Sequence, residues 1–310
     1  MSGLVLEGGG MRGTYTAGVL DFFLDKNIEF DNVYGVSAGS VNGCNFLSKQ
    51  KEVTKRKLKD LFSKEKIAKK HTQEKLPVVV FDFHSNMIKR APGVDLESQL
   101  NKAVNIRLAC EKINGILIRP GEAFSFWRTV GKTTRRKGYK DGRIIVRNQL
   151  RKGLGGGLCN LGNTINRIVL HSPMTVTEFH KHSDALAPDE GPRIPLNAGT
   201  AVCYNYIDYR FRNDSDQTVQ LLLWCDGEDL HGQLRAEREF PHTYSLTEED
   251  HHFRKEGEKY YRVSKIYRTV RDRQTQDVTG QELIWDNHSQ VLFDPALIPP
   301  QLLRTEEAAH

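Results

Sequence analysis

Asn32-Val-Tyr-Gly35-Val36-Ser37-Ala38-Gly39-Ser40 is the stretch on which the fold turns. A short apolar strand runs into Gly-x-Ser-x-Gly and a helix follows, the form of a nucleophile elbow. A strained strand-to-helix turn lifts the Ser37 hydroxyl clear of a sheet, and Gly35 and Gly39 leave room around it. The start of the helix behind Ser37 offers free N–H groups and the positive end of a dipole to a developing oxyanion.

Upstream, residues 3–7 predict a short buried strand, and Gly8-Gly9-Gly10-Met11-Arg12-Gly13 follows at once. A helix is expected from about Thr14 to Lys26, because Tyr15, Val19 and Phe23 recur one turn apart. The elbow strand and a second helix through Val41 and Phe46 complete a β-α-β-α unit, the opening of a parallel sheet. Glycines entering a helix let backbone N–H groups approach an anion closely. With the two glycine motifs in this order, residues 3–50 resemble the patatin-like phospholipase family. The resemblance implies Ser37 as nucleophile of a serine acyl-ester hydrolase, the Gly8, Gly9, Gly10 and Gly13 backbone as oxyanion hole, Arg12 supporting that loop, and lipid or another acyl ester as substrate. It also implies an Asp-Gly-Gly/Ala motif carrying the base. The chain offers Asp141-Gly142-Arg143 and Asp226-Gly227-Glu228 instead, and the second of these reads as a hairpin turn.

The 310 residues suffice for two modest domains, and 38% hydrophobic with 27% charged residues describe a water-soluble globular chain. No apolar run reaches the roughly 18 residues of a membrane span, and the first residues lack the pattern of a signal peptide. A cytoplasmic location is expected. Five cysteines without paired spacing (Cys44, Cys110, Cys159, Cys203, Cys225) predict free thiols. The net charge of +6 is local: Lys49–Lys75 holds 11 Lys/Arg against 4 Asp/Glu, so the remainder is close to neutral. No nucleic-acid footprint follows. The 51–75 stretch is expected to be a basic helical linker, with Leu58, Leu61 and Phe62 as a narrow apolar stripe. Such a helix could pack on the next domain or lie peripherally on an anionic membrane.

The sequence style changes near Gln50, which predicts a patatin-like fragment over 1–50 and a larger α+β domain over 76–295. Residues 77–83 predict a strand, Leu100, Val104 and Leu108 a helix, 116–118 a strand, Arg119–Glu122 a turn and Phe124–Trp127 another strand. Gly155-Gly156-Gly157-Leu-Cys159-Asn160 leads into a helix ending near His171-Ser-Pro173. A cysteine there has its thiolate favoured by the helix dipole. His180 and His182 share one face if their segment is a strand, so Cys159, His180 and His182 could form a thiol nucleophile with its base, or hold a zinc ion. No cofactor is expected. An alternating strand over Thr200–Arg212 and an antiparallel meander over Val219–Glu237 follow, then a hairpin at Tyr260–Val270 and Glu282–Trp285 and a frayed tail over 296–310.

A second resemblance covers about residues 55–295. Gly121-Glu-x-Phe124-Ser-Phe-Trp127, Gly155-Gly-Gly-Leu-Cys159, Val169-Leu-His-Ser-Pro173, His180-x-His182, Tyr204-Asn-Tyr206 and Gly232-x-Leu-Arg235 are similar to the VanW-like family. That family takes its name from glycopeptide-resistance gene clusters, and membership implies no established reaction. Asn160 stands where the family usually has Gln, and Phe179 where Arg is common. Three function classes are thus open: a serine acylhydrolase at Ser37, a ligand-binding or thiol-dependent domain around Cys159, and an inactive fusion in which the first fragment only caps the second.

Overall fold

A computed structural model describes residues 2–6, 32–35 and isolated positions between 16 and 60 (16, 19, 20, 22, 23, 30, 56 and 60). It then describes 63–304, apart from 91–94, 147–148, 182–183, 186–187, 189–193 and 197–198. The chain divides into two compact units, one made of 1–65 with 205–207, the other of 66–204 with 208–310.

In the first unit, β1 (Gly3–Leu6) and β2 (Asn32–Gly35) pair in parallel, with Leu6 opposite Gly35. Leu6 and Leu20 are buried together, with Leu4, Phe23, Phe30 and Val33 against them. Positions 16, 19, 20, 22 and 23 are helical, in line with the expected first helix.

The second unit begins with β3 (Lys70–His71) and β4 (Val78–Asn86), followed by α1 (Leu96–Ile113) and β5 (Ile116–Ile118). Next come β6 (Ala123–Ser125), α2 (Phe126–Val130), β7 (Asp141–Val146), β8 (Gln149–Leu154) and α3 (Leu158–Leu170). The strands β9 (Thr175–Glu178), β10 (Asp184–Ala185), β11 (Arg210–Arg212), β12 (Val219–Asp226) and β13 (Asp229–Ala236) follow. The chain closes with β14 (His242–Glu256), β15 (Lys259–Asp272), β16 (Val278–Val291) and β17 (Leu303–Arg304).

Three sheets organise this unit. An antiparallel sheet has the order β3-β5-β12-β13-β4. A small antiparallel sheet, β6-β11-β9, carries the candidate site. A long sheet, β10-β16-β15-β14-β17, mixes antiparallel hairpins with parallel strands at both edges. The unit is therefore α+β with a largely antiparallel C-terminal part.

The core lies between the five-stranded sheet and the helices. Ile106 and Ile113 of α1, Leu161, Ile165 and Ile168 of α3, and Leu221, Leu230 and Leu234 of the sheet are fully buried. Gly232 makes the close approach of α3 possible, since a Cβ there would lie 2.5 Å from Ile168 Cδ1. Asn105, buried on α1, binds Lys140 through both its amide groups and donates to the Gly156 carbonyl at 2.9 Å. It thereby fixes the turn that leads into α3.

Five expectations need correction. Residues 66–71, assigned to the basic helix, are extended: Ala68 N–H donates to Ala123 O, Ala123 N–H to Lys66 O, and β3 pairs with β5. Sheet hydrogen bonds outweigh helix propensity there, although Arg56 and Asp60 keep a helical i, i+4 ion pair. Phe126 and Trp127 begin a helix, because the Ser125 side chain caps it by accepting from Arg128 N–H. Thr200–Arg212 is a strand only at Arg210–Arg212, with turns between. The long strand β14 precedes the expected hairpin and makes it three-stranded. The tail is ordered to Arg304, where β17 lies along Phe253 and Arg254, and Ile298 is buried.

His171 caps α3 and stacks on Phe81 of β4, with ring centroids 3.8 Å apart and planes 6° from parallel. Burial holds its imidazole down at about 4, from an ordinary 6.5. The unfolded chain takes up this proton below about pH 6.5 while the folded chain refuses it until about pH 4, so acid favours unfolding in that window. The slope for this one group reaches about 1.4 kcal/mol per pH unit. Denaturation midpoints between pH 7 and pH 4 are expected to fall, and His171→Phe, which keeps the stack, to flatten the fall. An unchanged slope in His171→Phe would contradict this assignment.

Candidate functional site

The small sheet gathers polar groups at one end. Arg210, first in β11, lies opposite Ser125, last in β6, and opposite Glu178, last in β9. The β9–β11 register shifts beside this point, between Arg210 and Phe211, as bulges often do next to sites. Asp208, two residues before Arg210, turns its carboxylate into the same place.

Four donors fill that carboxylate. Trp127 N–H and Tyr209 N–H donate to Oδ1 at 2.9 and 3.0 Å. Ser125 Oγ and Arg210 Nε donate to Oδ2 at 2.5 and 2.8 Å. Two carboxylate oxygens offer about four acceptor positions, so Asp208 is saturated. Its own N–H donates to Glu178 Oε1 at 3.0 Å, and Arg210 Nε stands 3.8 Å from Glu178 Oε2. The side chains of Asp208, Arg210 and Glu178 are only 2%, 4% and 7% exposed, so this is an ionic network inside the fold. Such a network specifies geometry more than it adds stability.

At its rim stands His180, whose side chain is 40% exposed and whose Nε2 lies 3.1 Å from Glu178 Oε1. An ionised carboxylate only accepts, so Nε2 carries the hydrogen and Nδ1 of a neutral ring presents a lone pair. The His180 carbonyl accepts from Ala201 N–H at 2.8 Å, and Lys181 forms a bridge with Thr200. Val202, next along that segment, meets Cys159: its N–H donates to Sγ at 3.5 Å and its carbonyl lies 3.6 Å from Sγ. Residues 200–202 thus tie Cys159 and His180 into one neighbourhood. Trp127, whose backbone binds Asp208, sets its ring edge-on to Tyr204 at 5.5 Å, and Tyr204 is exposed.

Cys159 is the second residue of α3, as expected, but burial pushes its thiol up. Desolvation therefore opposes the helix dipole, and the neutral thiol is favoured. The three preceding glycines have structural causes. Gly155 and Gly157 adopt φ of 77° and 94°, and a Cβ on Gly156 would lie 2.3 Å from the Gly142 backbone. Beside them, Asn160 Oδ1 is buried with no hydrogen-bond partner among the described residues. Phe179, where Arg is common in the resembled family, packs edge-on to Trp285 at 6.3 Å. Among the described residues no three His, Cys, Asp or Glu side chains gather as a metal site.

His182 lies outside the described residues, as do Ser37, Gly8, Gly9, Gly10, Arg12, Gly13 and Gly39; Gly35 ends β2. The two Asp-Gly pairs are placed. Asp226-Gly227 turns the β12–β13 hairpin, as read from sequence, and Asp141 opens β7 with its carboxylate 2.6 Å from Arg135. Sequence reasoning missed Glu178 and Asp208 as a pair. The available signal was Asp208-x-Arg210, two opposite charges on either side of Tyr209.

Comparison with known proteins finds both resemblances. The patatin-like phospholipase family matches residues 4–156 and the VanW-like family residues 101–235. Residues 101–156, where the matches overlap, fold within the larger unit. The vancomycin B-type resistance protein VanW of Enterococcus faecalis is 28% identical over 221 residues, 71% of this chain and 80% of that protein. The uncharacterised protein YoaR of Bacillus subtilis is 31% identical over 122 residues, 39% of each chain. No solved structure matches. No helix among the described residues is long and apolar enough to cross a membrane.

Arg210→Met leaves two buried carboxylates without their guanidinium and is expected to cost about 3–5 kcal/mol of stability. Urea denaturation checks this; a loss under 1 kcal/mol would mean the network is not a fixed ionic centre. Taken together, the sequence matches make this chain similar to the patatin-like phospholipase family over residues 4–156 and to the VanW-like family over residues 101–235.

Proposed function

We propose that the VanW-like unit is a ligand-binding domain serving vancomycin-type resistance, with His180 as the group that meets the ligand. The supporting observation is the half-exposed imidazole held by a buried carboxylate, Glu178. A ring held in this way is oriented without being used up, since its second nitrogen stays available to accept a proton or a hydrogen bond. The exposed Tyr204 ring beside Trp127 supplies a flat apolar surface near the same place. Cys159, neutral and bonded to Val202, supports the lip rather than acting as nucleophile.

A second reading rests on the first unit. The parallel register of β1 and β2 sets Leu6 beside Gly35 at the same end of the pair, the residues from which the next two segments of the sequence continue. The glycine loop and the Ser37 elbow are those segments. Under this reading Ser37 attacks an acyl-ester carbonyl of a lipid, and the amides of Gly9 and Gly10 hold the oxyanion. A carboxylate elsewhere takes the proton. Without such a base a serine hydroxyl is a weak nucleophile at neutral pH, which makes this the second reading.

One experiment separates them. The full chain, His180→Ala and Ser37→Ala are expressed in a vancomycin-susceptible host, and each purified protein is treated with a fluorophosphonate probe. Protection by the full chain and by Ser37→Ala, lost in His180→Ala, is the expected result. Protection that survives His180→Ala, or none from the full chain, overturns the binding reading. Absence of probe labelling at Ser37 in folded protein rejects the hydrolase reading.

A further inference from the structure

Helix α1 lies along β12 and is fastened to it at two places. The Arg107 guanidinium donates to the Gly227 carbonyl, just past the end of β12. At the other end of the contact the Asn114 side chain accepts from Leu223 N–H at 3.1 Å, and Gly115 N–H donates to Leu221 O at 3.0 Å. The helix therefore runs antiparallel to the strand. From Arg107 to Asn114 a helix rises about 10 Å, and from Leu223 to Gly227 a strand advances about 13 Å, so the two fastenings match in span.

Between the fastenings each element carries one cysteine. Cys110 lies one helical turn from Arg107 and one from Asn114, on their face of α1. Cys225 lies midway between Leu223 and Gly227, on the strand face it shares with buried Leu223. The two fastened ends thus set thiol against thiol, and a hydrogen bond joins them. Both are free thiols, and they differ in access: Cys110 is 3% exposed inside the core, whereas Cys225 is half-buried at the edge of that core. That hydrogen bond, helped by the Arg107 charge, lowers the Cys225 thiol against its partial burial, while the same bond and deeper burial hold the Cys110 proton.

We propose that Cys110 and Cys225 are a redox pair, closed to an intramolecular disulfide by exchange with a low-molecular-weight disulfide and thereby clamping α1 covalently to β12. Cys225, the accessible and more acidic partner, reacts first. Its thiolate attacks one sulfur of the small disulfide, a mixed disulfide forms, and one small thiolate leaves. Cys110 then gives up its proton and attacks Cys225 Sγ, and the second small thiolate leaves. Two protein thiols are oxidised, one small disulfide is reduced to two thiols, and the two protons end on those thiols. The backbone on either side is already fixed, so closing to an S–S bond of about 2.05 Å asks mainly for side-chain rotation. The link ties residues far apart in sequence, where a cross-link restricts the unfolded chain most. This pair is separate from the Glu178–His180 centre, and its fate does not depend on the reading given to that centre.

Incubation of the folded full chain with oxidised glutathione, alkylation of the remaining thiols and peptide mapping by mass spectrometry test it. The expected product is a Cys110–Cys225 cross-linked peptide pair, two hydrogens lighter than the separate peptides and released by dithiothreitol. Its formation should raise Tm by about 5 °C or more. Cys110→Ala is expected to stop at the first step, with glutathione retained on Cys225, and Cys225→Ala to form no link. Cys159→Ser should leave the cross-link unchanged. The wild-type map decides the matter even if a variant fails to fold. Glutathione retained on Cys225 in wild type, both cysteines alkylated, or either one joined to another cysteine overturns the pair, and a cross-link that leaves Tm unmoved overturns the clamp.

Discussion

The Asp208 carboxylate is the point on which the larger unit's candidate site depends. Its four donors come from β6, α2 and β11, and its own N–H reaches Glu178 at the end of β9. The three short strands of this sheet have few ladder bonds of their own, at most four residues each. A single buried acid supplies what the ladder cannot. Because Glu178 is fixed through the Asp208 N–H and Arg210, the imidazole it holds is fixed as well. The position of the His180 ring is thus inherited from a saturated neighbour.

Burial sets the division of labour among the polar side chains. Asp208 and Arg210 are enclosed and fully engaged with each other, so their value is in holding geometry. His180 alone among the named groups combines a fixed orientation with access to solvent. Cys159 goes the other way: placed where a helix dipole would favour its thiolate, it is desolvated enough that its proton is kept.

Much of the architecture was legible because it follows local rules. The apolar run of residues 77–83, the helical spacing of Leu100, Val104 and Leu108, and Asp226-Gly227 between two apolar runs each announce their element. Even so, Leu100, read as a mark of helix α1, is exposed, and the buried stripe runs through Ala103, Ile106, Cys110 and Ile113. What was not legible depends on distant partners. Residues 66–71 carry helix-forming lysines yet pair with Ala123 and Ile116. The alternation in Thr200–Arg212 is broken by Asn205 at φ 60° and by the capture of Asp208. Gly155, Gly156 and Gly157, suggestive of a ligand loop, serve two positive φ values and one backbone approach. The pairing of Glu178 with Asp208 spans 30 residues, a distance at which spacing carries no signal.

Amide hydrogen exchange on the native chain tests the central claim most directly. The N–H groups of Trp127, Asp208 and Tyr209 donate to buried carboxylates rather than to strand partners. If the Asp208 network fixes the site, these three amides exchange as slowly as those of the α3 core, through global unfolding only. Exchange at the rate of the surrounding turns would show that the strand ends open locally, and that His180 is not held in place.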